Sequence, residues 1–90
     1  MLVEWSERAL DESDQAIGYI NQFNEKAAQD LYSRFADVAQ LLSQQPYLGR
    51  SGRVEGTREF VAHANYLLVY VVLSDRIRIE SVLHSRREYP

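Results

Sequence analysis

Two helix-period stripes followed by three strand-period runs order this chain. Val3-Glu4-Trp5 alternates apolar and polar positions as a short strand does, and Ser6 can then cap a helix, with Glu7 in its first turn. Leu10, Ser13, Ala16, Ile17 and Ile20 recur at helical spacing and mark one narrow apolar face. Asn21 to Asn24 breaks the pattern, and Asn24 is a second candidate cap. Ala28, Leu31, Phe35, Val38 and Leu42 then repeat at three- and four-residue steps, with Tyr32, Ala39 and Leu41 widening the stripe until Pro46 ends it. So short a break between two amphipathic helices predicts an antiparallel hairpin.

The remainder changes period. Pro46 to Gly56 is punctuated by glycine and reads as a loop; Thr57 to His63 reads as a short strand, and Ala64-Asn65 as a turn. Tyr66 to Leu73 is the strongest strand, too continuously apolar for a one-sided surface strand and therefore central. After Ser74-Asp75, the residues Ile77, Ile79, Ser81 and Leu83 alternate with Arg78, Glu80, Val82 and His84. Strict alternation puts His84 on the side away from the Ile77–Leu83 row. The predicted fold is α+β, a helical hairpin packed on a small curved antiparallel sheet in the order β-α-α-β-β-β. One domain spans 1–90, with the hairpin at about 6–45 and the sheet at about 57–84 plus the N-terminal strand. No internal repeat, second domain or low-complexity tail is visible.

Composition narrows the chemistry. The chain has no cysteine and only two histidines, so neither a disulfide framework nor a structural metal site is expected, and no cofactor motif is present. The start lacks a signal-like pattern, and the Tyr66–Leu73 run is too short for a membrane helix, so a cytoplasmic protein without membrane contact is expected. Charge is divided. Residues 1–45 hold three basic and eight acidic residues, net −5; residues 46–90 hold seven basic and five acidic ones, net +2, and all seven are arginine. Arginine presents a planar fork suited to phosphate or carboxylate, so the second half is the one expected to face an anionic partner.

Three stretches carry a family resemblance. Pro46 to Glu59 contains a P-x-x-G-R loop and a glycine-bearing stretch leading to Arg58; Tyr66 to Val71 reads Y-L-L-V-Y-V; Val82 to Glu88 reads V-L-H-S-R-R-E. In this order on these elements, they resemble the RelE/ParE toxins of type II toxin–antitoxin systems, and the ending is similar to that of ParE-like members. The resemblance implies a growth-arresting toxin held inactive by a cognate antitoxin, in a hetero-oligomer that represses its own operon through the antitoxin's DNA-binding domain. It implies one of two targets: DNA gyrase for ParE-like members, or mRNA cut at the ribosome for RelE-like ones.

The residues divide along the same line. A nuclease reading uses His84, the one candidate acid or base titrating near neutrality at the C-terminal cluster, with Tyr89, Arg58 and Arg86 or Arg87 if they converge on one face. A docking reading uses Arg50, Arg53, Arg58, Arg86 and Arg87 as target contacts. Its bland counterpart tethers the loop arginines to Glu55 or Glu59 by exposed ion pairs worth little, and Arg58 to Glu80 across the sheet. Trp5, Tyr19, Phe23, Tyr32 and Tyr47 exceed what two narrow stripes need, and Tyr19, Phe23 and Tyr32 are candidate anchors for the antitoxin. An acidic chain with no lysine after Lys26 suits a ribosome-bound nuclease poorly, which favours gyrase. A degenerate toxin serving as a repressor scaffold is the third reading.

Overall fold

The computed structural model describes residues 1–86. Its elements are β1 (Leu2–Trp5), α1 (Glu7–Asn21), α2 (Glu25–Gln44), β2 (Arg50–Ser51), β3 (Arg58–His63), β4 (Tyr66–Val72) and β5 (Arg76–His84). The sheet has five strands in the order β1-β5-β4-β3-β2. The helical hairpin packs on it as predicted, and β4 is central. Two details differ from expectation. The sheet is mixed, because β1 pairs with β5 in parallel, Val3 opposite Ile77 and Trp5 opposite Ile79. A two-residue strand, β2, also lies inside the predicted loop, with Arg50 opposite Glu59 and Ser51 opposite Arg58. Neither is visible as periodicity: four residues carry no mark of strand direction, and two carry no alternation.

Both helices begin where the caps were expected. Ser6 Oγ accepts from the Ala9 N–H at 3.0 Å and donates to the Glu80 carbonyl at 3.0 Å, so one side chain starts α1 and ties it to β5. Asn24 Oδ1 accepts from the Ala27 N–H at 3.0 Å. The buried face of α2 is Ala28, Leu31, Phe35, Val38 and Leu42, the residues of the stripe. All but Ala28 meet Leu68, Tyr70, Ile77, Ile79 and Val82 of the sheet in the main core. Phe35 sits between Trp5 and Tyr66, with ring centroids 6.4 and 6.2 Å away.

A bulge resets the faces of β5. Val69 pairs with Ser81 but Tyr70 pairs with Ile79, leaving Glu80 as an extra residue. Ile77 and Ile79 face the helices, and beyond the bulge Val82 joins them, whereas Leu83 joins Leu67 and Val69 in a separate buried cluster. The expected single row from Ile77 to Leu83 is therefore broken. His84 shares a side with Val82, as alternation requires, but that side is the helix-facing one.

Where β5 runs past β1, its edge is covered by α1. Glu12 Oε1 accepts from Ser81 Oγ at 2.7 Å and from the Val82 N–H at 3.1 Å. A second bulge leaves Ala62 between Val61 and His63, and Arg34 Nε of α2 donates to its carbonyl.

Candidate functional site

The glycine-bearing loop is held by three side chains from the sheet. Tyr70 is buried, and its hydroxyl donates to the Pro46 carbonyl at 2.9 Å while accepting from the Gly49 N–H at 2.9 Å. Gly49 has no room for a side chain: a Cβ there would lie 2.6 Å from the Tyr70 hydroxyl and 2.9 Å from the Glu59 carbonyl oxygen. Burial raises the Tyr70 pKa above its ordinary 10.0, opposed by the Gly49 N–H and the Arg58 charge. Arg58 donates to the Gly49 carbonyl at 2.7 Å and to that of Tyr47 at 3.4 Å, and its guanidinium lies 4.9 Å over the Tyr47 ring. The alternative pairing of Arg58 with Glu80 is not made; Glu80 pairs with Arg78 at 3.6 Å.

The third holder is Glu59. It stands opposite Val69, on the sheet face away from the helices, and is 3% exposed. Its carboxylate accepts from the Arg53 N–H at 3.1 Å and pairs with the guanidinium groups of Arg50 at 3.3 Å and Arg53 at 3.6 Å. The tether foreseen as an exposed pair thus has a buried acid at one end. Alternation around Phe60 could have flagged Glu59 as facing the sheet's other side, but only the second apolar cluster shows that this side is covered.

His84 lies at the opposite end of the sheet. It lines a recess with Glu12, Gln15, Ala16, Tyr19, Tyr66 and Val82. Its ring meets Tyr66 edge-on at 5.3 Å, and its Nδ1 accepts from the Arg86 N–H at 3.2 Å. The register separates His84 from Arg58. Arg58 is opposite Tyr70 and His84 is opposite Tyr66, on the two flanks of β4. Four residues of strand are about 13 Å, and two strand spacings add about 10 Å across. Arg58 and His84 therefore do not converge, whereas Arg86 follows His84 closely. Tyr89 and Arg87 lie outside the described residues. Among the described residues, no group of three or more His, Cys, Asp or Glu could hold a metal ion, and no helix is long and apolar enough to cross a membrane.

Comparison with known proteins agrees with this architecture. The family model described as "ParE toxin of type II toxin-antitoxin system, parDE" matches residues 3–89. The chain belongs to the ParE toxin family. A Sinorhizobium fredii protein named "Putative toxin Y4kP" is 32% identical over 89 residues, covering 98% of this chain and 92% of that one. Two solved structures share the fold. One, from the chromosomal ParDE toxin–antitoxin system of P. aeruginosa, has a TM-score of 0.74 at 19% identity and covers 93% of this chain and 95% of its own. The other, a YoeB/ParE toxin from Agrobacterium tumefaciens, has a TM-score of 0.63 at 14% identity and covers 99% of this chain and 100% of its own.

On this ParE-family chain, two of the candidate anchors, Tyr19 and Phe23, lie near the tip of the hairpin, and Tyr32 lies farther along α2. Tyr19 and Phe23 are 62% and 73% exposed and touch edge-on, with centroids 5.3 Å apart. Tyr32, 66% exposed, stands where two shallow recesses meet. One is lined with Ile17, Asn21 and Ala28, the other with Trp5, Leu10 and Phe35.

Proposed function

We propose that this ParE-family toxin arrests bacterial growth in the cytoplasm by inhibiting DNA gyrase, without chemistry of its own. A cognate antitoxin neutralises it. The observation that carries this reading is the separation of Arg58 from His84, which the sheet holds at opposite ends: the arginine on which the family motif falls is not beside the candidate general base, where a phosphodiester-cleaving site needs its charge. Arg50 and Arg53, paired with Glu59, and Arg58, over the exposed Tyr47, instead flank the loop between α2 and β3, where they can dock on a partner. Arg86 and Arg87 complete the proposed target-contacting set.

The antitoxin is proposed to dock on Tyr19, Phe23 and Tyr32 and to carry the DNA-binding domain through which the complex represses its operon. That the solved relative in P. aeruginosa comes from a ParDE system is consistent with such a partner.

Purified toxin should inhibit gyrase supercoiling in vitro, and addition of the antitoxin should restore it. No inhibition at large molar excess would sink the gyrase reading. Codon-phased mRNA breaks after brief induction, lost in His84→Ala and Tyr89→Phe, would replace it with ribosome-dependent cleavage.

A further inference from the structure

We propose that Glu59 is a positioning residue of the target-contacting loop, setting where Arg50 and Arg53 are presented. The inference rests on the docking reading above. A buried carboxylate needs compensation, and the sheet face around Glu59 is apolar, formed by Leu67, Val69 and Leu83. Its partners are all brought in by one loop: the Arg50 guanidinium, the Arg53 guanidinium and the Arg53 backbone N–H.

The geometry gives the acid a directional job. Arg50 pairs with one carboxylate oxygen and Arg53 with the other, so the two guanidinium groups are held apart on either side of a fixed anion. Their side chains stay 66% and 40% exposed, while that of Glu59 is 2% exposed. One end of each pair is thus anchored in the protein and the other faces outward. The backbone bond to Arg53 fixes the chain trace between them, beside the β2–β3 pairing of Ser51 with Arg58 and the Gly52–Thr57 and Thr57–Val54 bonds. Tyr70 and Arg58 hold the loop's first half, Pro46 to Gly49; Glu59 holds its second.

Charge is essential to this role, because ionic hydrogen bonds hold more strongly than neutral ones. Glu59→Gln keeps the size and an acceptor for the Arg53 N–H but removes the charge that both guanidinium groups share. Two readouts separate loop order from target contact. Trypsin cuts after arginine, so cleavage after Arg50 and Arg53 reports local opening of the loop without reference to any target. In Glu59→Gln both cuts should accelerate by about tenfold, with the near-ultraviolet circular dichroism of the folded core retained.

Potency in the supercoiling assay, or in growth arrest if gyrase is not the target, should fall to that of Arg50→Ala or below. Glu59→Asp, which keeps the charge on a shorter stem, should recover part of both. Unchanged cleavage in Glu59→Gln would overturn the positioning role, whatever the target. Faster cleavage with undiminished growth arrest would show that the loop is ordered by Glu59 but does not contact the target, and would also overturn it. Loss of the folded signal in both Glu59 variants would make the acid a requirement of the fold and not of the loop. Wild-type toxin that arrests growth but leaves gyrase untouched would end the gyrase reading alone.

Discussion

Tyr70 shows how one hydroxyl in an apolar strand can set the shape of a loop 21 to 24 residues away. Its bonds satisfy a carbonyl on one side of the turn and an N–H on the other, and both would be orphaned in Tyr70→Phe. The expected cost is about 1–3 kcal/mol, read as a lower urea midpoint with an unchanged slope. The pH dependence has a definite sign. Burial raises the native pKa above the ordinary 10.0, so in that range the native state keeps a proton that the unfolded chain has lost. This stabilisation is complete below about pH 10 and disappears as pH rises through the native pKa. The stability gap between wild type and Tyr70→Phe should hold steady from about pH 7 to 9 and narrow above about pH 10. A gap that widened with alkali would contradict the buried neutral phenol. Gly49 gives the same loop its steric half: Gly49→Ala drives a methyl group into Tyr70 and the β3 backbone, and it should be the more damaging of the two changes.

At the scale of elements, side-chain chemistry decides where each begins, and much of that was readable in advance. Ser6 and Asn24 were legible as caps, and the stripe of α2 was legible residue by residue, because a helix packed on a sheet must repeat its apolar positions. What could not be read depends on pairing. The parallel placement of β1, the two-residue β2 and the extra Glu80 are properties of two strands together, and no single run of residues encodes them. The bulge matters most: it moved His84 to the helix-facing side, beside Tyr66 and Tyr19, where alternation alone had turned it away. The loop arginines were legible as a group, but Glu59 as their buried anchor was not. Ser6 joins the two kinds of information, capping α1 in sequence and bonding β5 in space. Ser6→Ala should therefore cost more than an isolated cap, about 2 kcal/mol, measured by urea denaturation. Asn24→Ala, whose side-chain bond is local and exposed, should cost about 1 kcal/mol or less by the same measurement. Equal costs would mean that the Ser6–Glu80 bond contributes nothing to holding α1 on the sheet.

Across the whole molecule the two proposed contacts occupy different parts of the fold, and this makes them separable. The arginine loop lies between α2 and β3, in the half of the chain carrying net positive charge; the aromatic anchors lie on the acidic hairpin. An antitoxin segment suited to the hairpin would bring apolar side chains for Tyr19, Phe23 and Tyr32, and basic ones for Asp14 and Glu25, which line the recesses at Tyr32. The three aromatics are mostly exposed, so truncating them removes little that folding relies on. Phe23→Ser combined with Tyr32→Ser should leave the urea midpoint nearly unchanged and growth arrest intact. Antitoxin affinity should fall by about thirtyfold or more, the loss expected when anchoring aromatics are removed from a protein interface. The cellular signature would be a toxin that kills in the presence of antitoxin levels that protect against the wild type. Unaltered neutralisation by the double variant would move the antitoxin off Phe23 and Tyr32.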